Sequence, residues 1–118
     1  MVDRIAKKLT GLSAVMGLPV YADVKPVKSE AKEYIVFNPS DDRPILWGNN
    51  EVIANKITIQ VHMFTFGNPN KAIKKMKNYL KQQGFYYART AVQYESDTKY
   101  RHITIEVSDV YLDNEEVM

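Results

Sequence analysis

Cysteine is absent from this sequence, which excludes disulfide scaffolds, thiolate zinc sites, iron–sulfur clusters and Cys nucleophiles. Glycine and proline are scarce, five of each, and every glycine stands singly. Neither a Walker A loop nor a dinucleotide fingerprint can be built from isolated glycines. No G-x-S-x-G string occurs, and no Ser lies among His and acid signals, so nucleophilic catalysis finds no support. No apolar run approaches the roughly 18–20 residues of a spanning helix. A net charge of +2 is too small to point to nucleic acid by its size.

What remains is a 118-residue chain with 45% hydrophobic and 25% charged residues, the composition of one globular domain over 1–118. It is expected to be soluble and made in a reducing compartment. The start has a basic Met1–Lys8 and a fairly apolar Leu9–Val20, with Val20-Tyr21-Ala22 imitating a signal cleavage site. Ile5, Leu9, Leu12 and Met16 nevertheless share one face at helical spacing, and Thr10, Gly11 and Ser13 interrupt the run. We read it as an amphipathic helix over about 3–16, capped by Asp3 and stopped by Gly17 and Pro19.

Val20–Val24 reads as a short strand and Lys25–Glu33 as a loop. Tyr34–Phe37 is a second strand, ended by Asn38-Pro39-Ser40-Asp41-Asp42. Arg43–Glu51 reads as a long loop that holds the only Trp and several apolar residues. Trp47 then has two destinations, the core of its own subunit or the surface of another. Val52–Phe66 is the clearest strand, with Ile57, Ile59, Val61 and Met63 on one face and Lys56, Thr58, Gln60 and His62 on the other. Asn68-Pro69 opens a second helix with the apolar stripe Ala72, Ile73, Met76, Tyr79 and Leu80. Gly84 is expected to end it in a Schellman motif, with Phe85 on Leu80. Tyr86–Glu95 and Tyr100–Leu112 are the closing strands, and the last six residues are expected to fray. The order α-β-β-β-α-β-β makes this an α+β fold. An antiparallel or mixed sheet of four to five strands would carry two helices on one face.

Three constellations could carry function. His62 and His102 lie on polar strand faces and become neighbours if those strands pair, but two ligands do not make a metal site. Asp41-Asp42 reads as turn chemistry rather than an acid/base couple. Residues 68–90 hold five Lys and Arg89 with no acid, next to Tyr86 and Tyr87. That combination suits a nucleic-acid-binding domain built on the lysine-rich helix 69–83. Gly84-Phe85-Tyr86-Tyr87-Ala88 is weakly similar to an RNP1 strand, with Gln83 where Lys or Arg belongs. The charge is polarised: +6 over 68–90 against −5 over 91–118. Such a division equally suits head-to-tail association between copies.

The chain also resembles the small tail-completion, or tail-terminator, proteins of long-tailed bacteriophages and prophages of Gram-positive hosts. The resemblance covers most of the chain. It lies in GLPVYAD (17–23), YIVFN (34–38), DDRPILWGNNEVI (41–53), KITIQVHMFTFGNP (56–69), KAIKKMKNYLKQQGF (71–85) and YESDTKYRHITIEV (94–107). It implies a non-enzymatic part of the virion, without cofactor, metal or membrane partner, assembled in the host cytoplasm. Copies would form a ring, typically a hexamer, at the head-proximal end of the tail tube. The ring would end tube polymerisation and join head–neck connector proteins, with DNA only passing through. Subunit contacts are expected at Arg43, Ile45, Leu46 and Trp47, and along Lys56, Thr58, Gln60 and His62.

Overall fold

A computed structural model of the chain describes residues 1–117. The helices are α1 (Asp3–Thr10), α2 (Leu12–Met16) and α3 (Pro69–Gln82). The strands are β1 (Val20–Ala22), β2 (Tyr34–Gly48), β3 (Glu51–Thr65), β4 (Tyr86–Tyr94) and β5 (Arg101–Leu112). They form one mixed sheet in the order β1-β2-β3-β5-β4, parallel only between β1 and β2. The helices lie on one face. Ile5, Leu9 and Leu12 from the N-terminal helices and Met76 and Leu80 from α3 close over Ile35, Ile57, Ile59, Met63, Ile103 and Ile105 in a single core. The α+β class and the strict alternation of β3 therefore hold.

The first helix is two. Gly11 separates α1 from α2 because Tyr79 of α3 packs there and donates its hydroxyl to the Lys8 carbonyl at 2.6 Å. A Cβ on Gly11 would meet that hydroxyl at 2.0 Å. Gly11→Ala is expected to destabilise by about 1–3 kcal/mol through overpacking, visible as a lower urea midpoint with unchanged slope. Val2, not Asp3, occupies the N-cap, with no side-chain cap. The Asp3 N–H is instead taken by the Glu116 carbonyl at 3.0 Å, and the Asp3 carboxylate pairs with Lys7. β1 stops at Ala22 because Asp23 adopts φ +67°.

Asn68 caps α3, accepting from the Asn70 N–H at 2.9 Å, with Pro69 behind it. The helix ends in the expected Schellman pattern: the Gly84 N–H reaches the Lys81 carbonyl and the Phe85 N–H the Leu80 carbonyl. Gly84 has φ +89°. A β-branched residue is strained there, so Gly84→Val is expected to cost about 1 kcal/mol or more in denaturant unfolding.

The largest departure is Arg43–Gly48, which is strand and not loop. β2 continues through Asn38–Asp42 and pairs with β3 to Gly48↔Glu51, turning at Asn49-Asn50. Both asparagines have positive φ, 51° and 64°, as a two-residue hairpin turn requires. β2 absorbs its two prolines through register shifts at Pro39/Asp41 and Pro44/Leu46. The C-terminal segment is pinned rather than frayed. Glu115 accepts from Arg4 Nε at 2.9 Å and from the Leu112 N–H at 2.6 Å, and Val117 bridges to Val2. Met118 lies outside the described residues.

Candidate assembly surface

The β2–β3 hairpin ends in an apolar tip. Ile45, Leu46 and Trp47 are 44%, 52% and 58% exposed, which rules out a core position for Trp47. Two apolar residues that the sequence did not single out are also exposed at this end, Leu112 on the side of Leu46 and Ile53 on the other side of the sheet. Leu46 and Leu112 flank Ala54 from either side, since both pair with it across the sheet. The tip is braced from behind. The Tyr111 hydroxyl crosses β3 to donate to Asp42 at 2.8 Å, and burial together with that carboxylate pushes the phenol up to about 12. Asn55 donates to Asp113 at 2.9 Å, and the Asp113 N–H takes the Ile53 carbonyl.

The remaining expected contact residues run along the helix-free face. Arg43 stands opposite Lys56, and its guanidinium turns to Asp41 at 2.6 Å, which relieves the cation pair. Thr58, Gln60 and His62 are half-buried because β3 has neighbours on both sides. By strand rise, His62 sits roughly 33 Å from the tip, so the expected set spans the length of the β2–β3 hairpin and is not one patch.

His62 belongs to a separate aromatic group. Phe64 stacks on Tyr34 at 4.8 Å and on His102 at 4.4 Å, and Phe66 stacks on Tyr100 at 4.5 Å. Tyr34, His62, Phe64 and His102, with Val36, Asn38 and the Asp23–Lys25 turn, line an open depression of about 320 Å³. The histidines do meet, with His62 Nδ1 2.9 Å from His102 Nε2. One proton between two nitrogens satisfies both; a second would set two N–H groups against each other. Among the described residues no third His, Cys, Asp or Glu completes a metal site.

Burial lowers the pKa of both histidines; a charged His102 lowers His62 further, while Glu95 opposes the shift at His102. Glu33 is lowered by hydrogen bonds from Thr65 Oγ1 and the Phe66 N–H. Both shifts make acid destabilising. Above the ordinary histidine value of 6.5 the imidazoles are neutral, folded or unfolded. Stability falls as pH drops through that value, because the unfolded chain takes up the protons first. The Glu33 contribution is present above the ordinary carboxylate value of 4.5 and is lost below it, as the folded-state carboxyl protonates. Thermal unfolding is expected to show both declines. His62→Gln/His102→Gln should remove the upper one and leave the lower.

On the opposite edge, β4 presents its helix-side residues beyond the cover of α3. Val92 and Tyr94 are 46% and 60% exposed there. Lys77 and Lys81 lie over the Tyr87 ring at 4.4 and 5.6 Å, and Arg101 lies 5.5 Å from the Tyr94 ring. The RNP1 likeness does not survive the fold. Phe85 is 4% exposed in the core, and β4 is an edge strand.

No family model matches the chain, and no curated protein matches it in sequence. The fold has a counterpart among solved structures. A chain of "Virion of native gene transfer agent (GTA) particle" superposes with a TM-score of 0.59 at 16% identity, over 94% of this chain and 95% of that one. The likeness extends nearly end to end on both sides, so it concerns the whole domain and not a shared motif.

Proposed function

We propose that this chain is a non-enzymatic structural component of a phage-like virion. Copies would close into a ring at the head-proximal end of the tail tube, end tube growth and join the tail to head–neck proteins. The observation that carries the reading is end-to-end similarity of fold to a chain from a gene transfer agent virion. The resemblance to tail-terminator proteins agrees with it, and so does a braced apolar tip whose solvent exposure makes sense once it is covered by another subunit.

The contacts would be made by Arg43, Ile45, Leu46 and Trp47 at the tip and by Lys56, Thr58, Gln60 and His62 along β3. A hexamer, a tube protein and connector proteins are the partners of this reading. The unpaired edge of β2, Asn38–Gly48, is poorly suited to simple strand addition. Pro39 and Pro44 lack donors, and three register shifts break its line. Contact through side chains is the mode that the tip favours.

Deleting the gene from the element that carries it tests the role. The expected phenotype is overlong tubes or heads and tails left unjoined. Normal particles from the deletion would contradict the proposal.

A further inference from the structure

We infer that the apolar hairpin tip of one copy docks on the cation-edged β4 strip of the next. This inference rests on the ring reading above and supplies its missing half, the surface that receives the tip.

The strip is Tyr87, Val92 and Tyr94, which share the helix side of β4 because they pair with Val107, Ile103 and Arg101. Its rim is cationic: Lys77 and Lys81 at one end and Arg101 at the other. Residues 68–94 contain no acid to offset these cations. The tip has the complementary make-up. On the helix side of the hairpin end Ile53 is exposed, whereas Leu46, Trp47 and Leu112 stand on the helix-free side with Arg43 and Lys56. Around Ile53 that helix side carries the exposed acids Asp42, Glu51 and Asp113. The acidic helix side of the tip, with Ile53 at its middle, matches an aromatic strip with a basic rim, and like-to-like contact of either surface is repelled.

The two surfaces cannot meet within one chain. The tip is at the β2–β3 turn, whereas β4 is the far edge of the sheet, with β3 and β5 between. The contact is therefore heterologous. Each copy keeps one free tip and one free strip, which is the arrangement that closes into a ring. The aromatic and cationic groups of the strip would also suit single-stranded nucleic acid. What favours a second copy is that this same molecule carries an apolar surface of opposite charge.

A charge exchange tests it. One variant carries Lys77→Glu and Lys81→Glu; the other carries Glu51→Lys and Asn114→Lys. None of these side chains is in the core. Each variant alone is expected to need about tenfold or more higher concentration to assemble in sedimentation velocity. An equimolar mixture should assemble at the wild-type concentration, since reversed tips meet reversed strips. Assembly of each variant at the wild-type concentration, or a mixture that restores nothing, overturns the docking assignment while leaving the ring reading in place. A wild-type chain that never assembles overturns both. Loss of retention on single-stranded DNA in the Lys77→Glu/Lys81→Glu variant, with assembly intact, makes the strip a nucleic-acid surface and also overturns the proposal.

Discussion

Changing Leu46 and Trp47 together to aspartate is expected to abolish self-association and leave the fold intact. Trp is the residue type most enriched at interface centres, where truncation of a single anchor typically costs about 2 kcal/mol or more. Aspartate goes further than truncation, because an ionised carboxylate would be buried without a partner, at several kcal/mol for each group. The fold should tolerate the change because both side chains are more than half exposed and neither belongs to the core. The expected effect on unfolding is about 1 kcal/mol or less, within the range of strand propensity and surface substitutions. Sedimentation velocity reads the first effect and thermal denaturation the second. Unchanged association would remove the tip from the interface. A collapsed melting curve would mean that the tip supports the subunit itself.

The second large effect lies in the core. Ile105 is fully buried on β5, paired with Val61 on one side and Thr90 on the other. Ile105→Ala removes three carbons from a closed contact set under the helices and is expected to cost about 2–5 kcal/mol. A domain of this size has about 5–15 kcal/mol in total, so much of its stability would go. The urea midpoint should fall sharply with little change in slope. Ile53→Ala supplies the contrast. Ile53 is exposed at the tip, and the same chemical change should shift stability by about 0.5 kcal/mol or less. Equal losses at the two positions would mean that the tip is packed in the isolated subunit.

Periodicity carried most of the fold. The alternation along β3, the stripe on α3 and the Asn68-Pro69 and Gly84-Phe85 boundaries all stand in the structure, because each is set by local chemistry. The failures are nonlocal. Pro39 and Pro44 read as strand breakers, but β2 is an edge strand beyond Phe37, where a missing donor leaves no ladder bond unmade. Asn49-Asn50 was legible as turn chemistry. That it closes a two-residue hairpin depended on the pairing of its flanks, which joined an expected strand, turn and loop into one strand of fifteen residues. Gly11 looked tolerable in a helix until Tyr79, 68 positions away, took the space above it. Asp3 lost its capping role and the C-terminus its fraying to a single meeting of the two chain ends around Arg4 and Glu115.

The surface was half legible. Ile45, Leu46 and Trp47 stood out as apolar residues in an expected loop, but core and surface both stayed open for Trp47 until its 58% exposure decided between them. Ile53 and Leu112 were hidden because each sits in an ordinary strand pattern, and only the overhang of the hairpin exposes them. His62 stands on the expected face and meets His102, as the pairing of their strands implied; the aromatic residues around the pair were not foreseen. Its neighbours are Phe64, Tyr34 and His102, an aromatic group at the other end of the strand.

The central claim is that copies of this chain form a closed ring. Sedimentation velocity of the purified wild-type chain over a wide concentration range, with negative-stain images of the largest species, tests it most directly. The account predicts one dominant assembly of fixed copy number that appears in images as a closed ring. A species that remains monomeric at every concentration, or open filaments of indefinite length, would contradict it.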